Sequence, residues 1–237
     1  MWSETRRPDR MDGVVGHADV KAHIVRYLRS PPYTRVLLLH GPPGIGKTTL
    51  TLACAKSCDF EPLELNASQS LRSFADVQTL ADSCTHTRSI TALLRGDVRH
   101  LCLILDEVDG SDPHAQRKLA EWMASPQRRI PILMTCNEVP RIFKGRDSID
   151  LVRCYPPKPS DLIPLFPGHD VQALAKQFKH DVRRMLQFLQ YGESDPLPQG
   201  PHPTDGSPEV MLVLRQQRYV SRDPILQATE RGTSSSR

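Results

Sequence analysis

Residues 41–49 read Gly-Pro-Pro-Gly-Ile-Gly-Lys-Thr-Thr. The spacing, Gly41 followed by four residues and then Gly46-Lys47-Thr48, is that of a loop built to hold a chain of phosphates. The glycines let the main chain come close enough for successive N–H groups to cradle anionic oxygens. The whole run Gly41, Pro42, Pro43, Gly44, Ile45, Gly46, Lys47, Thr48 and Thr49 is therefore a candidate nucleotide-binding loop. Lys47 would reach the β- and γ-phosphates, and the Thr48 hydroxyl would help complete a Mg²⁺ shell. The competing reading is a Gly/Pro-rich structural turn. A second chemical signal lies downstream, where Leu101-Cys-Leu-Ile-Leu105 runs into Asp106-Glu107. Asp106 would hold Mg²⁺, directly or through water, and Glu107 would orient and deprotonate an attacking water. Strand alternation would point the two carboxylates in different directions. Asn137 follows another apolar run and would help to place that water.

The elements around these residues are those that anion binding requires. Arg35–His40 reads as a buried strand and 48–57 as a helix, so the loop would sit at a helix N-terminus. Further strands are expected at Pro62–Leu65, Leu101–Leu105 and Ile130–Cys136, with helices near 73–82, 86–94 and 113–124. Asp19 is a candidate cap for a helix carrying Val20, Ile24, Tyr27 and Leu28 on one face. Short apolar runs alternating with helices argue an α/β fold with a parallel sheet covered on both faces. Ligands bind at the C-terminal ends of such strands. Past Cys154 the prolines 156, 157 and 159 mark a linker, with helical stretches near 160–166, 170–178 and 180–191. From residue 192 onward, six prolines and four glycines among 46 residues read as a mostly disordered tail, apart from Val210–Leu214.

At 237 residues the chain can bury a sizeable core, and its net charge is +4. The tail from residue 192 holds five Lys and Arg against six Asp and Glu, so the positive excess belongs to the first 191 residues. No run of 18 apolar residues occurs and the N-terminus does not resemble a signal peptide, so the expectation is a soluble intracellular protein without membrane contact, nuclear if the source is eukaryotic. None of the six cysteines forms a C-x-x-C pair, and reduced core thiols are the default reading.

Taken in order, Val14-Val15-Gly16, residues 41–49, Glu64-Leu-Asn-Ala-Ser68, Leu105-Asp-Glu-Val-Asp-Gly110 and Cys136-Asn137 resemble the clamp loader ATPases of the AAA+ superfamily, the large subunit of replication factor C and its relatives in particular. The resemblance covers roughly residues 10 to 192. It implies a three-layer α/β sandwich around a central parallel sheet, followed by a small helical lid. The domain reading is an N-terminal extension at 1–10, an ATPase core at 11–156, a lid at 157–191 and the tail at 192–237. On this resemblance Val14, Val15 and Gly16 line the adenine pocket, Lys47 and Thr48 belong to the Walker A motif and Asp106 and Glu107 to Walker B, and Asn137 is sensor 1. Arg183, in Lys179-His-Asp-Val-Arg-Arg-Met-Leu-Gln187, matches the sensor 2 arginine. ATP and Mg²⁺ are the implied cofactors. The implied partners are primer–template double-stranded DNA, a sliding clamp and other clamp loader subunits in a hetero-oligomer.

Arg72, Arg117 and Lys118 lie in the segments that match the DNA-tracking helices, and solvated surface charge is the alternative for each. Gln69 stands where the family commonly has Asp after Asn-Ala-Ser. Arg153, in Val152-Arg153-Cys154, is either an arginine finger or a strand-end charge. A helical collar normally follows the lid in the family; on the resemblance, either the tail forms a stub of it, or assembly works differently here, or the protein is a reduced form. Two other functions stay open, a nucleotide-gated checkpoint adaptor and a helicase-type AAA+ ATPase. An Asn-Lys-x-Asp guanine reader is absent, which disfavours a GTPase.

Overall fold

Val36-Leu-Leu-Leu39 is apolar at every position, and a strand of that kind needs cover on both faces. In the computed structural model, which describes residues 7–71, 73–84, 100–125 and 130–191, the strand receives it. Val36 and Leu38 enter one hydrophobic core, while Leu37 and Leu39 enter another on the opposite face. The two neighbouring apolar strands divide in the same way: Leu103 and Leu105 pack on one side and Cys102 and Ile104 on the other, as do Met134 and Leu133. The result is a three-layer α/β sandwich.

The central sheet contains β1 (Val36–His40), β2 (Phe60–Asn66), β3 (His100–Asp106), β4 (Ile132–Cys136) and β5 (Ile149–Arg153), in the order β2-β3-β4-β1-β5 with every pairing parallel. Helices α1 (Ala18–Leu28) and α2 (Lys47–Ser57) cover one face through Val20, Ile24, Leu28, Leu50 and Ala53. The other face takes the short α3 (Ala67–Ser70), α4 (Phe74–Ser83) and α5 (Pro113–Met123), with Val77, Leu80, Leu119 and Met123 buried against it. A third cluster involves no strand. It joins α6 (Pro159–Leu162), α7 (Val171–Gln177) and α8 (Val182–Tyr191) through Leu162, Phe166, Leu174 and Met185, and Val15 packs against it.

Several expectations are corrected by these elements. Asp19 does not cap α1: His17 holds the cap position, and Asp19 lies in the first turn, where its charge still favours the helix dipole. β2 is longer than Pro62–Leu65 because it is an edge strand, where Pro62 is tolerated. β5, on the opposite edge, was not among the expected strands because it carries no continuous apolar run: Asp150 pairs with His23 of α1 and Leu151 is exposed. The expected helix at 86–94, Arg72 and the tail at 192–237 lie outside the described residues.

Candidate nucleotide-binding site

Parallel register sets the chemistry side by side. His40 of β1 is level with Cys136 and Arg153, and Asn66 of β2 is level with Asp106 of β3. Leu105 pairs with Met134, so Asp106 emerges beside Thr135. All of these are strand C-terminal ends, and the 41–49 loop leaves β1 at the same edge and runs into α2.

The loop directs its carbonyls into the protein. Lys47 Nζ donates to the carbonyls of Gly41 and Pro42, each at 2.8 Å. The Gly44 carbonyl accepts from Val182 N at 3.0 Å and Arg183 N at 3.4 Å, and that of Gly46 from Leu50 N at 2.9 Å. The Ile45 carbonyl is 2.9 Å from His17 Nε2. The N–H groups of Gly44, Ile45, Gly46, Lys47 and Thr48 have no acceptor among the described residues. A row of unpaired donors at a helix N-terminus is an anion site waiting for its oxygens. Gly44 has φ +71°, and a Cβ there would lie 1.9 Å from Asp181 Oδ1. Gly41 also comes close to the Cys154 carbonyl, which would lie 2.3 Å from an added Cβ.

Lys47 is only 8% exposed. Its ammonium also donates to Asn137 Oδ1 at 3.0 Å, which brings the expected loop lysine and the residue beyond β4 into contact. Burial pushes the Lys47 pKa below its ordinary value, an effect that a phosphate would counter by favouring the charged form. Thr48 Oγ1 donates to Asp106 Oδ1 at 2.8 Å, and Thr135 Oγ1 donates to the same oxygen. One carboxylate and hydroxyl oxygens suit Mg²⁺, which keeps several waters and takes the remaining ligands from phosphate. No cluster of three or more His, Cys, Asp or Glu that could cage a metal occurs among the described residues.

Glu107 leaves Asp106 by a left-handed turn, φ 55°, rather than by strand alternation. It is exposed, and its Oε2 accepts from Asn66 Nδ2 at 3.1 Å and lies 3.5 Å from Ser68 Oγ. Asp109 accepts from the N–H groups of Asn137 and Glu138 at 2.9 and 3.2 Å, locking the β3 and β4 tips together. Asn66 and Asp109 stand in motifs that carry the family resemblance but had no assigned role, and Thr135 stands in none; their level at the sheet edge gives them one, and that requires the strand order.

A cavity of about 430 Å³ connects these groups. Pro43 to Thr49, Asp106, Glu107, Asn137, Val14, Val15 and Arg183 line it. Gly16, Gly41 and Pro42, expected at the ligand, stand one layer back: Gly16 lies against Pro157, and the other two offer their carbonyls to Lys47. Arg117 and Lys118 sit on α5 away from the cavity, with Lys118 Nζ 3.7 Å from Glu121. Arg153 Cζ lies 5.1 Å from the centre of the exposed Tyr155 ring. All six thiols are free and five are buried, and burial lifts the pKa of Cys136 to about 12 and that of Cys154 to about 11.

Residues 37–146 match the model of the ATPase family associated with various cellular activities, AAA. Replication factor C large subunits are among the curated relatives. That of Sulfurisphaera tokodaii is 33% identical over 143 residues, covering 58% of this chain and 31% of that protein. That of Methanococcus aeolicus is 28% identical over 207 residues, covering 80% and 42%. The chain thus spans well under half the length of these relatives. Among solved structures, the RuvB Holliday junction branch migration motor of Thermotoga maritima superposes with a TM-score of 0.54 at 17% identity, covering 78% of this chain and 64% of that one. That likeness speaks for the fold alone. With strand order, loop and relatives in agreement, residues 37–146 form an AAA-family ATPase domain on an AAA+ α/β fold, similar to that of replication factor C large subunits.

Proposed function

We propose that the chain is the ATP-binding and ATP-hydrolysing part of a clamp loader subunit, which helps to load a sliding clamp onto primer–template DNA in replication or repair. The carrying observation is the Thr48–Asp106 contact at 2.8 Å beside the unpaired loop N–H groups, because it joins a triphosphate cradle to a metal-ready carboxylate. The loop N–H groups and Lys47 bind the phosphates, and Val14 and Val15 close the base end. Thr48 and Asp106 would hold Mg²⁺, which when bound neutralises phosphate charge. Glu107 accepts the proton of the attacking water, and Asn137 positions that water through the network it shares with Lys47. Arg183, on a helix hydrogen-bonded to the loop at Gly44, links the lid to the nucleotide state.

The names of the curated relatives support the loader reading, and so does the positive excess outside the tail. DNA and clamp contact through surfaces such as that of Arg117 and Lys118, and assembly with other loader subunits, belong to the same proposal. The decisive assay measures phosphate release with and without primed DNA and a sliding clamp, for the chain together with small loader subunits. Stimulation by both, lost by at least about 100-fold in Glu107→Gln and uncoupled from DNA in Arg183→Ala, is the expected result. ATP binding without stimulation would replace the loader with a nucleotide-gated adaptor.

A further inference from the structure

We propose that Asp109 is a positioning residue for ATP hydrolysis: its carboxylate sets the spacing between Glu107, the base, and Asn137, which places the water. The proposal rests on the hydrolytic reading above and gives a task to an acidic side chain that this reading leaves unused. Glu107 and Asn137 lie past the ends of different strands. β3 and β4 pair through Leu103, Ile104 and Leu105, and the last of these pairs joins Leu105 to Met134. Glu107 stands two residues beyond that rung and Asn137 three. Glu107 also leaves β3 in a left-handed conformation, φ 55°, and opens a single 3₁₀ turn, Val108–Gly110. A ladder that stops short of the chemistry does not fix the distance between the two tips.

Asp109 supplies the missing rungs. Its Oδ2 accepts from Asn137 N at 2.9 Å and from Glu138 N at 3.2 Å, two successive main-chain donors on one charged oxygen. The other link to β4 at this level, Glu107 N to Thr135 Oγ1, is a long 3.4 Å. Both ends of the brace carry a group of the proposed reaction. On the β3 side Val108 is fully buried and Gly110 N donates to the Glu107 carbonyl at 3.1 Å, so the turn is anchored and Glu107 shares its frame with Asp109. On the β4 side the Asn137 side chain reaches Lys47 Nζ, so a tilt of its main chain would carry Oδ1 with it. Glu107 and Asn137 line the cavity and Asp109 does not, so it acts through these two and not on the nucleotide. Asp106 is held separately, by Thr48 and Thr135, and would keep its place without the brace.

The test is ATP binding and phosphate release by the full 237-residue chain, the latter with primed DNA, a clamp and small loader subunits whose own loop lysine is replaced by alanine. Asp109→Ala is expected to lower kcat about 10- to 100-fold, the loss that follows a misplacement on the order of 1 Å, and to leave ATP affinity within about twofold. Asp109→Asn keeps an oxygen for both N–H groups without the charge, so it loses a smaller factor and keeps the test valid if Asp109→Ala fails to fold. On an Asn137→Ala background Asp109→Ala is expected to cost less than about threefold, because a group it places is already gone. An unchanged kcat in both Asp109 variants would overturn the proposal. So would ATP affinity falling by the same factor as kcat, or losses that simply multiply with Asn137→Ala, since either would leave Asp109 a structural brace alone. No phosphate release by the unsubstituted assembly would instead overturn the hydrolytic reading itself, and this proposal with it.

Discussion

Asn66→Asp is expected to raise basal ATP turnover by up to about tenfold without changing KM. In the structure Asn66 Nδ2 donates to Glu107 Oε2 at 3.1 Å, holding the carboxylate toward β2. A hydrogen bond to a charged group contributes about 1.5–3 kcal/mol when sheltered. Glu107 is exposed, so a discounted value of about 1–1.5 kcal/mol is appropriate. A hold of about 1.4 kcal/mol leaves roughly one carboxylate in ten free, which sets the ceiling on the gain. Aspartate is the informative replacement because Asn66 also works through its oxygen. Oδ1 accepts from Ser68 Oγ at 2.6 Å and from Gln69 N at 3.3 Å, capping α3. Asp keeps that cap while exchanging the donor for a like charge, whereas Ala would lose the cap at a cost of about 1 kcal/mol. The assay is steady-state phosphate release at saturating ATP, with a thermal melt as control. Equal or slower turnover at an unchanged melting temperature would mean that Asn66 supports the working position of Glu107 rather than a resting one.

Thr135→Val removes a donor to Asp106 and is expected to raise the Mg²⁺ concentration needed for half-maximal ATP binding several-fold, with Thr135→Ser near wild type; an unchanged Mg²⁺ titration would leave Thr135 a packing residue. Gly44→Ala places a Cβ 1.9 Å from Asp181 Oδ1 at a left-handed φ, where strain alone costs about 1–2 kcal/mol, so a lower melting temperature together with weaker ATP binding is expected, and a neutral melt would refute the docking of α8 on the loop. Burial holds His17 and His40 below the ordinary value of 6.5, so the unfolded chain binds more protons than the folded one just beneath that pH. Their stabilising contribution is therefore full above about pH 6.5 and declines as pH falls toward the depressed folded-state values. His17→Gln, which can still donate to the Ile45 carbonyl, should flatten that decline, and an identical denaturation profile against pH would refute the assignment.

What the sequence disclosed and what it withheld follow one physical division. The loop, the helix it starts and the Asp106-Glu107 pair are local: their function depends on residues a few positions apart within one connection, and spacing records that. Asn66, Thr135 and Asp109 reach the site only because parallel strands bring β2, β3 and β4 to the same level, with Asn66 opposite Asp106 and Leu105 opposite Met134. No periodicity within a strand carries that information. At the start of α1 composition favours Asp19 as the cap, whereas the structure places His17 there, with its ring nitrogen on the carbonyl of a loop residue 28 positions away.

That partner points to how the loop is organised. The loop carbonyls with identified donors are held from four places: Gly41 and Pro42 from the buried ammonium, Gly44 from the start of α8, Ile45 from the start of α1 and Gly46 from within α2. With the Gly44, Ile45 and Gly46 carbonyls held by these donors, the N–H groups of Gly44 to Thr48 are left free at the helix N-terminus before any ligand arrives. Electrostatic preorganisation of this kind avoids a reorganisation cost at binding. It also makes the loop a junction, because an anion that pulls on the Gly44–Ile45 peptide must load the hydrogen bonds to α8 and α1 together. A helix carrying Arg183 and a wall carrying Val14 and Val15 are thereby tied to the same three residues of main chain. On the proposed function, an anion bound at the loop would act on the lid helix and on the wall of Val14 and Val15 through these hydrogen bonds.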